Sequence, residues 1–385
     1  MGGCMSACAG NILKEMTESS IGLSPLLGRV PDGKLRVFCP FTVPHEWRQP
    51  FSTAPLESVP LSYLKGAFSM DIEVKQLSVT FLSPMGAVRV LRDVNLLFHG
   101  GKITALLGES GSGKSILGTA IMRLLPENAR MTGSIFYDGN DLPLLSEKEM
   151  NEIRGDRIGW IAQDPISAMN PLMRVGRQVT EVLRKRLGWG KEKSSKSALE
   201  QLEKYGLGDP VRVCASYPHQ LSGGMAQRVM AAMMTLPSPE WLIADEPTKG
   251  LDPLVRKQVA DMFLQIKMAE RGMLLITHDL ALAECLADRV VVLYAGEVLE
   301  QGSTEDIFKN PYHPYTRGLL AAAPSRGLHP ISGNPPDLSR LTGGCIFRSR
   351  CAFCGKGCEK RQTMRKVGEG HFVKCGESIT VHSLF

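Results

Sequence analysis

The octapeptide Gly108-Glu109-Ser110-Gly111-Ser112-Gly113-Lys114-Ser115 is the segment of this 385-residue chain that most directly implies chemistry. It completes a G-x-x-x-x-G-K-[ST] pattern. Glycines let such a loop wrap with its N–H groups pointing inward, and a helix starting there adds a dipole that favours phosphate oxygens. Lys114 would reach the outer phosphates of a nucleotide and Ser115 would hold Mg²⁺. A second centre is Asp245-Glu246, directly after the apolar run Trp241 to Ala244. A carboxylate at the end of a parallel strand can bind Mg²⁺ directly or through water, and its neighbour can polarise an attacking water. Charged strand ends are common, so this pair gains its meaning from the loop.

Both centres need strands that end side by side, and the sequence supplies them. Ile103 to Leu107 leads into the loop, and Ser115 to Leu125 reads as the helix behind it. Leu242 to Ala244, Met273 to Thr277 and Val290 to Tyr294 are short apolar runs of the kind found in strands buried on both faces. Ile72, Val74, Leu77, Val79 and Phe81 suggest a further strand, while Leu254 to Met268 and Leu280 to Ala287 read as helices. The alternation predicts an α/β domain with a mainly parallel sheet. Between Asp164 and Gln220 amphipathic patterns, Val179 to Leu187 and Ala198 to Tyr205, predict a helical insertion.

Two more motifs narrow the reading. Leu221-Ser222-Gly223-Gly224-Met225 leads into a helical run, and His278 follows the strand-like Met273 to Thr277. With these, residues 71–300 resemble the ATP-binding-cassette (ABC) ATPases, which combine a P-loop, an L-S-G-G-x signature, an Asp-Glu strand and a lone histidine in this order. GTPases and small-molecule kinases share the P-loop but lack the signature. The resemblance implies a P-loop NTPase fold of ABC type with a helical subdomain at about 164–225. It also implies roles: Phe81 stacking on adenine, and Gly108 to Ser115 holding the phosphates of ATP. Gln163 would sense Mg²⁺ and the attacking water, Asp245 would associate with Mg²⁺, Glu246 would be the general base, and His278 would contact the γ-phosphate. Ser222, Gly223 and Gly224 would face the nucleotide of a partner subunit, and Asp252 would communicate across the dimer. One chain carries one P-loop and one signature, so turnover is expected to require a second ATPase subunit. Met225 replaces the commoner glutamine, with little loss expected because the donors there are backbone N–H groups.

Cargo must be read from the flanks. Asn310-Pro311-Tyr312-His313-Pro314-Tyr315-Thr316, then Leu319-Leu320, and the stretch from Gly343-Gly344-Cys345 through Phe347, Arg350 and Cys351 resemble the ATPase subunits of oligopeptide, dipeptide and nickel importers. That resemblance implies an ATPase domain over 71–320 and a Cys-rich C-terminal extension over 321–385. It also implies a peripheral place on the cytoplasmic face of the membrane, a homologous second ATPase in a heterodimer, two permeases and an extracytoplasmic binding protein. Peptides are the expected cargo and nickel or a metal chelate the alternative. A soluble ABC protein acting on nucleic acid or ribosomes is disfavoured, because neither a second cassette nor a long coiled coil is present. No nucleic-acid partner is expected.

Net charge is +6, and five of those charges fall in residues 343–385. The basic excess belongs to the tail, as a solvated face or an attraction to anionic lipid. Five of ten cysteines are there too. Cys345, Cys351, Cys358 and Cys375 follow the family pattern, with Cys354 as an extra thiol and Ala352 in place of a usual proline. Four thiolates suit an iron–sulfur cluster of the [4Fe-4S] type, or Zn²⁺, because soft ligands select those centres. Unligated thiols are the bland alternative. Residues 1–69 hold seven prolines and no useful periodicity, so they read as a disordered leader. Met1-Gly2-Gly3-Cys4-Met5-Ser6 fits an N-myristoylation pattern, whereas Met70 offers an alternative translation start. No apolar run approaches the ~18 residues of a spanning helix.

Overall fold

The computed structural model describes residues 71–376 apart from Met85, Arg186, Asp252 and Thr342, together with two short strands, β1 (Leu27–Arg29) and β2 (Leu35–Val37). The chain divides into a unit of Met1–Pro50 and a unit of Phe51–Phe385. In the first, β1 and β2 pair antiparallel with Leu27 opposite Val37, a pairing the sequence pattern does not announce. The lipidation pattern at Met1–Ser6 and the alternative start at Met70 lie outside the described residues.

The second unit holds two sheets. An antiparallel one runs β4 (Gly86–Phe98), β3 (Ile72–Ser83), β6 (Ala129–Tyr137), β7 (Asn140–Asp141). The larger has the order β13 (Arg365–Gly368), β14 (His371–Val373), β12 (Glu297–Ser303), β11 (Arg289–Tyr294), β5 (Ile103–Leu107), β10 (Gly272–Ile276), β9 (Trp241–Asp245), β8 (Ile158–Ile161). From β11 to β8 every pairing is parallel. All residues of β5, β9 and β10 are buried, which is why they read as unbroken apolar runs. The predicted parallel α/β core is therefore present.

The helix Lys114–Ile121 lies between the two sheets. Its Leu117, Ala120 and Ile121 join a core with Leu91 and Val94 of β4 on one side and Ile158, Ile243 and Ile276 on the other. Each leucine, isoleucine or valine side chain there contributes about 1.5–3 kcal/mol on burial. The helix ends four residues before the expected Leu125, after Ile121, where Met122 closes the last turn. Gly118 sits against the Trp160 ring, where a Cβ would come within 2.8 Å, so helix and β8 meet at backbone distance.

From Pro165 to Thr235 the chain is helical: Pro165–Ala168, Val175–Lys185, Lys191–Lys204, Pro210–Ala215 and Gly223–Thr235. Val175, Val179 and Leu183 form one buried stripe at four-residue spacing, and Ala198 and Leu202 of the next helix are buried as well. Asp164, Asp209 and Ser222 cap three of these helices with side-chain oxygens on backbone N–H groups.

The C-terminal residues extend the main sheet. Val373 and Phe372 of β14 pair with Glu300 and Gln301 of β12. Glu300 is fully buried and accepts from the backbone N–H groups of Tyr312 (2.6 Å) and His313 (2.9 Å), and it pairs with Nε2 of His371 at 2.7 Å. A buried carboxylate is tolerated because its lone pairs are engaged in this way.

Trp241 fills the space over Gly272, where a Cβ would come 2.5 Å from the indole, and it is 1% exposed. Trp241→Ala is expected to cost about 3–5 kcal/mol, measured by chemical denaturation of the full chain; a loss below about 1 kcal/mol would show that the sheet does not depend on this contact.

Candidate functional site

Gly108 follows β5 with φ +152°, and a Cβ there would lie 2.1 Å from the carbonyl oxygen of Leu293 in β11. The loop can take its path only with glycine at this point. It closes on Gly113, the residue before the helix, so the loop ends on a helix N-terminus as the motif requires. The Ser112 hydroxyl is buried within the loop without a hydrogen-bond partner. An unsatisfied buried donor inside a glycine-rich loop fits a phosphate-binding cradle.

Lys114 is buried, and its Nζ donates to the carbonyl oxygens of Gly108 (2.8 Å) and Glu109 (2.9 Å). Burial lowers its pKa, while the carboxylates of Glu246, Asp245 and Glu109 oppose that shift. Ser115 Oγ donates to Asp245 Oδ1 at 3.0 Å. Asp245 ends β9, and its register partner in β10 is Ile276. Burial raises the Asp245 carboxyl, the Ser115 hydroxyl lowers it, and Glu246 raises it again. A divalent cation beside these groups would favour the ionised form. Ser115 and Asp245 thus bring together a hydroxyl and a carboxylate, oxygen donors of the kind a hard divalent cation takes.

Glu246 has φ +48°, unusual for a non-glycine residue, and its N–H donates to the carbonyl of Ile276 at 2.8 Å. Its Oε2 lies 2.6 Å from Nδ1 of His278. That hydrogen bond raises the His278 pKa. Loop, Asp-Glu strand and histidine therefore meet at the carboxyl ends of β5, β9 and β10, the edge where ligands bind in open parallel sheets.

The other expected site residues spread outward. Gln163 is exposed in the turn between β8 and the helix Pro165–Ala168, two residues past Ile161, which pairs with Ala244. Phe81 is partly buried at the end of β3 and packs on the core between the sheets. Ser222 and Gly223 are exposed at the start of the helix Gly223–Thr235, where the Ser222 hydroxyl accepts from the N–H of Met225. Among the described residues no hydrogen bond joins the signature to the chain's own P-loop. Asp252 lies outside the described residues.

Sequence reasoning missed two residues that reach the loop. Tyr315 Oη accepts from the N–H of Glu109 at 2.8 Å, and Arg350 pairs with the Glu109 carboxylate. Both stand in the stretches that carried the importer resemblance, but nothing local in the sequence joins them to a loop over 200 positions away.

In the C-terminal part, the Cys345 N–H donates to the Cys358 carbonyl at 2.8 Å. Gly344, at φ +96°, allows this approach, since a Cβ there would lie 2.7 Å from the same oxygen. Burial pushes the Cys345 and Cys351 thiols up to about 11, and the charges of Cys358 and Cys375 add to both shifts. Yet among the described residues no group of three or more His, Cys, Asp or Glu side chains is arranged to hold a metal ion. The expected four-cysteine ligand set is not formed in this geometry. The thiols converge without closing on a common centre.

The sequence matches the ABC transporter family over residues 91–249 and the C-terminal region of oligopeptide/dipeptide transporters over residues 299–358. It is 42% identical to the oligopeptide transport ATP-binding protein OppD of Bacillus subtilis, covering 79% of this chain and 87% of that protein. Similarity to the dipeptide transport ATP-binding protein DppD of the same organism is 41% over 79% of this chain and 93% of the relative. The chain belongs to the ATP-binding subunits of the oligopeptide/dipeptide ABC transporter family. Its fold agrees with the dimeric ATP-binding cassette MJ0796 in a post-hydrolysis state bound to ADP and Pi, at TM-score 0.55 and 27% identity over 60% of this chain and 98% of that one. It also resembles cbiO1 from Clostridium perfringens, part of an ABC transporter complex, at TM-score 0.52 and 25% identity over 63% and 92%. This ABC subunit therefore binds and hydrolyses ATP, with Mg²⁺ as the metal the family uses.

Gly108→Ala tests the loop geometry. Strain of about 1–3 kcal/mol is expected to weaken Mg·ATP binding roughly ten- to a hundredfold, read by equilibrium titration with the unfolding midpoint as a control. Unchanged affinity in a folded variant would mean that the approach to Leu293 is not needed.

Proposed function

We propose that this ATPase energises the import of oligopeptides or dipeptides. It would work from the cytoplasmic face of the membrane, in a heterodimer with a second ATPase, beside two permeases and an extracytoplasmic binding protein. Support comes from the relatives' names and from the match to the transporters' C-terminal region. Among the described residues no helix is long and apolar enough to cross a membrane, which agrees with a peripheral place.

The observation carrying the catalytic part is the convergence of Lys114, Ser115, Asp245, Glu246 and His278 on one sheet edge. In this reading Gly108 to Ser115 cradle the phosphates, with Lys114 on their outer oxygens. Ser115, Asp245 and Gln163 hold or sense Mg²⁺, which supplies charge neutralisation at the phosphates. Glu246 takes the proton of the attacking water. His278, hydrogen-bonded to Glu246, orients that carboxylate and contacts the γ-phosphate. Phe81 stacks on adenine. Exposed Ser222 and Gly223, with Gly224 and Asp252, serve the partner subunit's nucleotide.

Glu246→Gln is expected to keep Mg·ATP affinity within about threefold and to lower steady-state hydrolysis roughly 10²- to 10⁴-fold. Appreciable turnover of the variant in the reconstituted transporter would remove Glu246 as the base.

A second element of the reading concerns the tail thiols, proposed to hold an iron–sulfur cluster or Zn²⁺. What supports it is the family pattern of the cysteines and their proximity, which shows as a mutual raising of thiol pKa values. Anaerobic purification followed by elemental analysis is expected to give stoichiometric iron or zinc, lost on Cys351→Ser. Neither metal above trace level would leave the cysteines as unligated thiols.

A further inference from the structure

The strongest unassigned feature is a buried contact between the C-terminal extension and the P-loop. Arg350 has a side chain 4% exposed, and its two terminal nitrogens donate to the Glu109 carboxylate, Nη1 to Oε2 at 2.8 Å and Nη2 to Oε1 at 3.0 Å. This is the two-pronged geometry that a guanidinium offers and an ammonium cannot. The remaining three N–H groups are also used. Nε donates to the Ser332 carbonyl at 3.0 Å, Nη2 to the Ile331 carbonyl at 3.4 Å and Nη1 to the Tyr294 hydroxyl at 3.3 Å. A buried cation with all five donors satisfied belongs to the construction of this site, unlike an incidental surface pair.

Glu109, the second residue of the P-loop, is correspondingly held at every polar group. Its carboxylate meets Arg350, its N–H donates to Tyr315 Oη at 2.8 Å, and its carbonyl accepts from Lys114 Nζ at 2.9 Å. Tyr315 is itself fixed. Its N–H donates to His313 Nδ1 at 3.0 Å, and the His313 N–H is held by buried Glu300. Tyr294, Tyr315 and Phe347 pack their rings against one another with centroids 4.5–5.4 Å apart, and the Arg350 guanidinium lies over the rings of Tyr294 and Phe347. Phe347 and Arg350 come from the C-terminal extension and Tyr294 from β11, so the loop is gripped by chain segments from far apart in sequence.

We propose that Arg350 is a positioning residue of the ATPase: through Glu109, with Tyr315 on the same residue, the C-terminal extension sets the geometry of the phosphate loop. This rests on Gly108 to Ser115 being the ATP site. The consequence is specific. Removing the guanidinium leaves a carboxylate half-buried and unpaired beside Lys114, where it draws the lysine and shifts the loop. Removing both partners should cost less, because no unpaired charge remains.

The test is a double-mutant cycle on the full chain, with Mg·ATP binding by equilibrium titration, and KM and kcat measured in the reconstituted transporter. Arg350→Ala is expected to raise the Kd and KM for ATP on the order of tenfold with a smaller change in kcat. Arg350→Lys should fall between, since it restores charge but not the fork. In Glu109→Ala/Arg350→Ala, affinity should return to within about twofold of Glu109→Ala alone. If Arg350→Ala does not fold, the Lys variant and the double variant decide the matter by the same ranking. Lys114→Ala separates the two levels. If it binds Mg·ATP as the parent does, the ATP-site reading fails; if it loses binding while Arg350→Ala and Arg350→Lys bind normally, or the cycle is additive, only the positioning role falls.

Discussion

The catalytic edge depends on how closely Gly108 approaches the Leu293 carbonyl. β5 is buried on both faces between β11 and β10, so its direction is set by two parallel neighbours, and the loop must turn the moment the strand ends. With no room for a Cβ, the loop is pressed onto the end of β11 while its helix is pressed between the sheets by Leu117, Ala120 and Ile121. That double confinement carries Ser115 to Asp245 and Lys114 to the carbonyls of its own loop. ATP phosphates would compete with those carbonyls for the same ammonium, an exchange of one set of oxygens for another with little desolvation of the charge.

Electrostatics on this edge are arranged in opposition. Burial disfavours charge on both Lys114 and Asp245, and each lies close enough to offset part of the other's penalty. Glu246 raises the Asp245 pKa but is itself drawn toward His278. The two adjacent carboxylates are engaged by different partners, Asp245 by the Ser115 hydroxyl and Glu246 by the His278 ring. Adjacent acids at a strand end would otherwise repel in a low-dielectric site.

What could be read from the residues follows physical lines. β5, β9 and β10 were legible because two-sided burial leaves an unbroken apolar run with a chemical motif at its end. β3 was visible in part, but its ladder with β4 shifts register between Val74 and Leu77, between Leu77 and Val79 and between Val79 and Thr80, and each bulge breaks the two-residue alternation. β4 alternates buried and exposed residues over residues 94–98, but Leu97 stands at an exposed position and masks that alternation in the sequence. β13 and β14 are too short to show an alternation. Motif residues within a few positions of one another were found by spacing; Tyr315 and Arg350 act on Glu109 from 206 and 241 residues away, and no local pattern encodes such a meeting.

The tail's composition takes on a different sense in this light. A surplus of basic residues in the last 43 positions suggests a solvated appendage, yet Arg350 places its charge inside the protein, on Glu109 of the glycine-rich loop. Arg361 likewise reaches Asp93 of β4 at 3.0 Å, although exposure makes that contact weak. Lys374 pairs with Glu297 of β12 at 2.7 Å with both side chains largely covered. Three of the eight basic residues there thus face carboxylates of the cassette, and the excess charge is partly a matter of docking. An extension joined by strand pairing, a buried carboxylate and a two-pronged ion pair cannot shift without disturbing β12, whose strand partner β11 ends beside Gly108.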